Sequence, residues 1–259
     1  MSDAIAETGS AICGARDIRG AYVGEDVAAG YVDRRFKEPL GALLHQAQAR
    51  LLLDAIARER PARILEIAPG PARLSTAVAE AFHGRLVLVD SSHAMLVEAR
   101  RRLASIRRNQ SCLLRGDAFA LPARGPFDLA YSFRLVRHFD EDGRRRLYGQ
   151  IAAVLRSGGV FVFDAVNRAS ADRVRAGAAP GQYPIYDALV EPDGLRRELD
   201  AAGFDLVSLA GVQKRYGALF TLQVLVAPRS RRLALAAMRA LERCPGGQPL
   251  EWVVTCRKR

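Results

Sequence analysis

The stretch R-I-L-E-I-A-P-G-P-A-R-L-S at residues 63–75 constrains this chain more than any other. Ile64, Leu65 and Ile67 make a short apolar run with one acid, Glu66, inside it. The run breaks at Pro69, Gly70 and Pro71, and helical spacing then resumes. The pattern predicts strand, turn and helix. In an open α/β sheet a ligand sits beyond the carboxyl end of such a strand, against the start of the next helix. A dinucleotide site needs G-x-G-x-x-G, so that backbone amides can approach a pyrophosphate. Only Gly70 remains of that spacing here, and the two prolines remove N–H donors that phosphate oxygens would need. The turn favours a ligand without phosphate.

Downstream, the periodicity keeps alternating. Leu74, Val78 and Phe82 form a helical stripe stopped by Gly84, and residues 85–89 read as a buried strand closed by Asp90. Asp90 lies about 20 residues after Gly70, where a carboxylate can accept both hydroxyls of a ribose. Ser91 or Ser92 is placed to cap a helix carrying Leu96, Ala99 and Leu103. A third strand at 112–115 runs into Gly116, Asp117, Ala118 and Phe119, and a fourth at 127–132 runs into the segment from Ser132 to His138. Asp140 can cap a helix that stops at Gly158 and Gly159, before a fifth strand at 160–163 that ends in Asp164. A helix at 193–202, a sixth strand at 204–212 and a last one at 251–256 complete the series. Strands alternating with helices define a doubly wound, parallel sheet.

Composition narrows the class further. With 259 residues, 49% of them hydrophobic, the chain has material for one α/β domain with additions. No apolar run approaches the roughly 20 residues of a membrane span, and no early segment reads as a secretory signal, so a cytoplasmic protein is expected. Cys13, Cys112, Cys244 and Cys256 lack the spacing of a metal or disulfide framework. The formal charge of +11 raises nucleic acid and anionic membranes as partners. The excess is almost all arginine spread along the chain, which a compositional bias explains at least as well as a binding face.

The motif at 66–72 resembles the first motif of the class I S-adenosylmethionine-dependent methyltransferases, an acid followed by glycines at alternate positions. Glu66 matches the acid and Gly70 the central glycine, while Ala68 and Ala72 stand where the family has glycine. The resemblance covers residues 31–257. It implies a Rossmann-like, doubly wound, seven-stranded sheet, mostly parallel with an antiparallel last strand, preceded by N-terminal helices and carrying a helical insertion before that strand. The expected division is a flexible arm at 1–20 and one domain at 21–259. Within it fall a helical cap at 27–57, a lid-like loop at 165–192 and a helical insertion at 213–249.

The cofactor implied is S-adenosylmethionine, with S-adenosylhomocysteine as product. Its implied contacts are Glu66, Ala68, Pro69 and Gly70 at the turn, Asp90, Ser91 and Met95 after the second strand, and Asp117, Ala118 and Phe119 at the adenine. Ser132 and Phe133 follow the fourth strand. Tyr31, Arg35, Arg137, Tyr183 and Tyr186 are candidates for a substrate pocket. His138 is the candidate base, because imidazole titrates near neutral pH, and Arg134 is a candidate anchor for an anionic substrate group.

Metal-dependent catechol-type chemistry needs carboxylates after both the fourth and fifth strands. Asp164 and Asn167 could serve at the second place, but no acid follows Tyr131 at the first, so no metal is expected. The expected function is methyl transfer to the oxygen, nitrogen or carbon of a small molecule, by a monomer or homodimer. The alternatives are a lipid- or quinone-type methyltransferase at a membrane surface, an RNA methyltransferase, and a non-catalytic cofactor-binding protein. The basic insertion at 213–249 admits peripheral membrane contact, a dimer contact, an active-site cap, or simple packing on the core.

Overall fold

The computed structural model describes residues 36–106, 110–176 and 187–259. The arm at 1–20, the first of the two expected N-terminal helices, Tyr31, Arg35, Tyr183 and Tyr186 lie outside these.

The described chain runs α1 (Pro39–Glu59), β1 (Arg63–Ile67), α2 (Ser75–Ala81), β2 (Arg85–Asp90), α3 (His93–Leu103), β3 (Gln110–Arg115) and β4 (Phe127–Ser132). A single 3-10 turn (Val136–His138), α4 (Glu141–Val154), β5 (Leu155–Asn167), α5 (Arg168–Arg175), β6 (Leu189–Val190), α6 (Pro192–Ala201) and β7 (Phe204–Lys214) follow. Then come α7 (Tyr216–Leu225), α8 (Arg231–Arg243) and β8 (Pro249–Lys258). The strands lie in the order β3-β2-β1-β4-β5-β8-β7, with β6 paired to β5. Seven strands form the path, as expected, and the two-residue β6 is an addition. β8 is antiparallel to both β5 and β7, while the β1–β2, β1–β4, β2–β3, β4–β5 and β5–β6 pairs are parallel.

Side chains alternate across the strands, and the two sheet faces bury different helices. Ile64, Leu86, Leu88, Leu129 and Val162 pack with α1, α2 and α3 through Leu52, Val78 and Ala99. Leu65, Val87, Ala130, Phe161 and Phe163 pack with α4 and α6 through Leu147, Ile151 and Leu195. The caps sit where the sequence places them. Ser92 accepts from the Met95 N–H at 3.3 Å, and Asp140 Oδ1 accepts from the Gly143 N–H at 2.8 Å.

The region 165–192 is not loop throughout, because β5 continues to Asn167 and α5 follows. Polar R-A-S-A-D-R-V-R has no apolar stripe to betray a helix, yet Asn167 caps it by accepting from the Ala169 N–H at 3.2 Å. Asn167 also donates to the Pro249 carbonyl at 2.7 Å, which commits its side chain to the fold. A helical insertion precedes the last strand, as expected, although residues 213–214 end β7 and Pro249 starts β8; Leu219 of α7 and Met238 of α8 pack on Leu43 of α1. Among the described residues no helix is long and apolar enough to cross a membrane.

Candidate functional site

β1 has β2 on one side and β4 on the other, so the strand order reverses there, and a crevice opens beyond the carboxyl ends. A cavity of about 310 Å³ occupies it. Glu66, Gly70, Asp90, Asp117, Phe119 and Arg134 are among the residues lining it.

The floor is the turn after β1. Its amides are all engaged: Ala68 donates to the Val89 carbonyl at 2.8 Å, Gly70 to Asp90 Oδ2 at 3.0 Å and Ala72 to the Pro69 carbonyl at 3.2 Å. Positions 69 and 71 are prolines without a donor. No amide of this turn remains to cradle a phosphate, as the two prolines suggest in the sequence. Ala68, Gly70 and Ala72 are left-handed, with φ of 54°, 55° and 61°. This conformation is the physical reason a glycine suits each position, since a Cβ costs about 1–2 kcal/mol there. A Cβ on Gly70 would meet only Met95 Sδ, at 4.0 Å, so backbone conformation rather than space demands glycine. Ala68→Gly should raise unfolding free energy by about 0.5–1 kcal/mol in urea titration, and an unchanged value would mean that the turn is unstrained. The corresponding change at Ala72 gains less, because its methyl is fully buried.

Glu66 shares its sheet face with Tyr131, whose hydroxyl donates to Glu66 Oε2 at 2.8 Å. Burial raises the Glu66 pKa to about 7, with Tyr131 and Arg73 pulling the other way. Arg73 stands one turn beyond Gly70, also on the cavity wall. Its guanidinium donates to Gln48 Oε1 at 2.7 Å, lies 3.0 Å from His45 Nδ1 and stacks 4.2 Å above the Phe36 ring. Burial, with the Arg73 charge, lowers the His45 pKa to about 4, so the imidazole is neutral and accepts. α1 is thereby fastened over the turn.

Asp90 ends β2, and its Oδ1 accepts from the Ser92 N–H at 2.9 Å. Burial raises its pKa, against the pull of the Ser92 and Gly70 amides. Ser91 and Met95 line the same wall. Beyond β3, Asp117 Oδ1 accepts from the Phe119 N–H at 3.0 Å, and the Phe119 ring meets Phe139 edge-on at 4.9 Å. Ala118 completes this side.

After β4 the expected residues separate. Phe133 and Arg134 line the cavity; Ser132, Arg137 and His138 do not. Ser132 is fully buried and donates to the Ile67 carbonyl at 2.8 Å, tying the ends of β4 and β1 together. Arg134 has a φ of 63°, and Asp164 Oδ1 accepts its backbone N–H at 2.6 Å.

Arg137, expected in a substrate pocket, is buried in an ion cluster. It lies 2.7 Å from Glu251, 2.8 Å from Asp187 and 3.4 Å from Asp164. Burial works against its charge, but Glu251, Asp187 and Asp164 outweigh it and push the pKa up. His138, expected as the base, is 2% exposed, with Nδ1 3.6 Å from Asp187. The 3-10 turn directs both side chains under the wall rather than into the crevice. Asp164, considered for a metal, is likewise committed to Arg134 and Arg137.

Arg73, Leu135 and Phe139 are among the lining residues that the sequence does not announce. An arginine directly after the turn was the one available signal for Arg73.

Residues 64–159 match the family profile described as methyltransferase domain. The fold is that of a class I S-adenosylmethionine-dependent methyltransferase. An S-adenosylmethionine-dependent methyltransferase from Clostridium acetobutylicum ATCC 824 is 12% identical, with 83% of this chain and 92% of that one covered at a TM-score of 0.61. Magnesium protoporphyrin IX methyltransferase from Synechocystis PCC 6803, solved with bound SAH, is 11% identical over 85% and 86% of the two chains, at 0.60. The cyclase SpnF is 20% identical over 82% and 81%, at 0.56. No curated protein sequence matches the chain. In this methyltransferase fold the 68–72 turn, Asp90 and Asp117 stand on three successive strand ends around one cavity.

Proposed function

We propose that the protein transfers a methyl group from S-adenosylmethionine to a small-molecule acceptor that carries an anionic group. One observation carries the reading: the amides at 68, 70 and 72 of the turn after β1 are all engaged by protein acceptors, while Glu66, Asp90 and Asp117 present carboxylates to the cavity. An adenosine with a cationic tail suits that wall, and a polyphosphate does not.

In this reading Asp90 accepts the ribose hydroxyls, Asp117 accepts the adenine amino group and Phe119 packs on the ring. Glu66 receives the ammonium and Arg73 the carboxylate of the methionyl end. When bound, the cofactor would supply an electrophilic methyl carbon on a sulfonium, open to in-line attack by the acceptor with the thioether as leaving group. The chain contributes alignment, which can lower such a barrier by roughly 7–11 kcal/mol in a well-ordered pocket. With His138 turned away, alignment rather than proton removal is the work of the described lining. Arg134 supports an acidic acceptor, because its Nε is buried without a hydrogen-bond partner among the described residues, at the cavity wall.

Calorimetry with S-adenosylmethionine tests the first half. Only ionised Glu66 pairs with an ammonium, so affinity should rise from about pH 6 to about pH 8, through the Glu66 pKa of about 7. Transfer of a labelled methyl to carboxylate- and phosphate-bearing acceptors tests the second. Arg134→Gln should raise KM for such acceptors by roughly tenfold, the scale of one charged hydrogen bond. Absence of cofactor binding sinks the proposal outright. Binding without turnover on any acceptor leaves the non-catalytic alternative.

A further inference from the structure

α7, Y-G-A-L-F-T-L-Q-V-L, has no charged residue on any face. A helix of that composition belongs inside a protein, yet only Leu219 of its ten residues is buried. Phe220, Val224 and Leu225 stand outward at 51, 50 and 57% exposure. Leu233, on the first turn of α8, is 61% exposed. The two helices pack together and are joined by residues 226–230, so the end of α7 adjoins the start of α8.

Arg229, Arg231 and Arg232 are exposed at that junction. Arg229 donates one hydrogen bond to the Leu225 carbonyl and Arg231 one to that of Lys37. A guanidinium has five donors, so neither is spent. Two of the three occupy the first turn of α8, which holds no acid. Cations at the positive end of a helix dipole are badly placed, and an anion brought to the same spot relieves them.

β7 is parallel to β1 and β4, because it is antiparallel to β8 and β8 is antiparallel to β5. α7 therefore leaves the sheet at its carboxyl edge, the edge that holds the cavity.

We propose that the α7–α8 hairpin seats this protein on an anionic lipid surface, with Phe220, Val224, Leu225 and Leu233 entering the interface and Arg229, Arg231 and Arg232 meeting headgroup phosphates. A second copy docked here about a two-fold axis would set the same arginines against each other. Nucleic acid offers phosphates but little to cover four exposed apolar side chains. The inference does not rest on the transfer reaction, and it is read without turnover.

The test is flotation of the full chain with vesicles of equal parts phosphatidylcholine and phosphatidylglycerol, against vesicles of phosphatidylcholine alone. Binding is expected to the anionic vesicles, weakening as salt rises. Each of Arg229→Gln and Arg232→Gln should lower partitioning by about fivefold, the effect of one basic side chain at such a surface. Phe220→Ser with Leu225→Ser should lower it further, while calorimetric binding of S-adenosylmethionine stays unchanged and reports an intact fold. Equal binding to both vesicle types, no binding at low salt, or binding indifferent to these substitutions overturns the proposal. So does a dimer in sedimentation velocity that Phe220→Ser dissociates, or a cross-link that places residues 1–35 over α7 in a chain that ignores vesicles.

Discussion

Asp90→Ala is expected to weaken S-adenosylmethionine binding by roughly 1.5–3 kcal/mol, the scale of a charge-assisted hydrogen bond, when read by calorimetry. The structure adds a second cost. Asp90 also accepts the Gly70 and Ser92 amides, so alanine leaves two partly buried donors unsatisfied, at about 1–3 kcal/mol each in folding free energy. Asp90→Asn separates the two effects, because its amide oxygen keeps one backbone partner and its NH2 cannot accept from the other. The asparagine variant should unfold closer to the wild type in urea while still losing affinity. Unchanged affinity in both variants would move the ribose away from β2 and undo the assignment of the crevice.

Arg137→Met should cost about 3–5 kcal/mol of stability, the largest single effect we expect outside the site. It removes the one cation at the centre of Asp164, Asp187 and Glu251, two of which are almost wholly buried. Arg175 still reaches Asp187 at 2.8 Å, so Asp164 and Glu251 bear most of the loss. The pH dependence has a definite sign. Arg137 and its neighbours hold the Asp187 pKa below its ordinary value, and this stability is present above the unfolded carboxylate pKa and lost as pH falls through the folded one. In the methionine variant the unpaired carboxylates are relieved by protonation, so its deficit should shrink as pH falls. Urea unfolding at neutral and mildly acid pH measures both; a deficit independent of pH would mean that packing, not charge, is what Arg137 supplies.

The parts of the fold that were legible in sequence are those with short-range causes. β1, β2 and β4 are apolar runs ended by a turn or an acid, and Ser92 and Asp140 announce helix starts by local hydrogen bonds. β5 is longer than its apolar run: Arg156, Ser157, Gly158 and Gly159 look like a helix stop and a turn, although the strand already begins at Leu155. The acids that line the cavity stood out for the same reason as the strands, since Glu66 lies within β1, Asp90 ends β2 and Asp117 follows β3 closely. The roles of Arg137 and His138 were not. Their partners lie at Asp164, Asp187 and Glu251, up to 114 residues away, and nothing local distinguishes a buried arginine from one facing a substrate. Arg73 was missed likewise, because its meaning depends on His45 and Gln48 of a helix that precedes the sheet.

The turn at 68–72, its amides all engaged, also bears on selectivity in a crowded solution. Many soluble metabolites present an adenosine, and most of them carry it on a chain of phosphates. A pocket that recognised adenosine alone would be filled by those competitors. With no amide to offer from that turn and three carboxylates facing the cavity, this one would charge each competitor the desolvation of its phosphates with little compensation. Discrimination of that kind comes from what the site withholds, and it fixes a ratio of affinities that does not change with the abundance of the competitors.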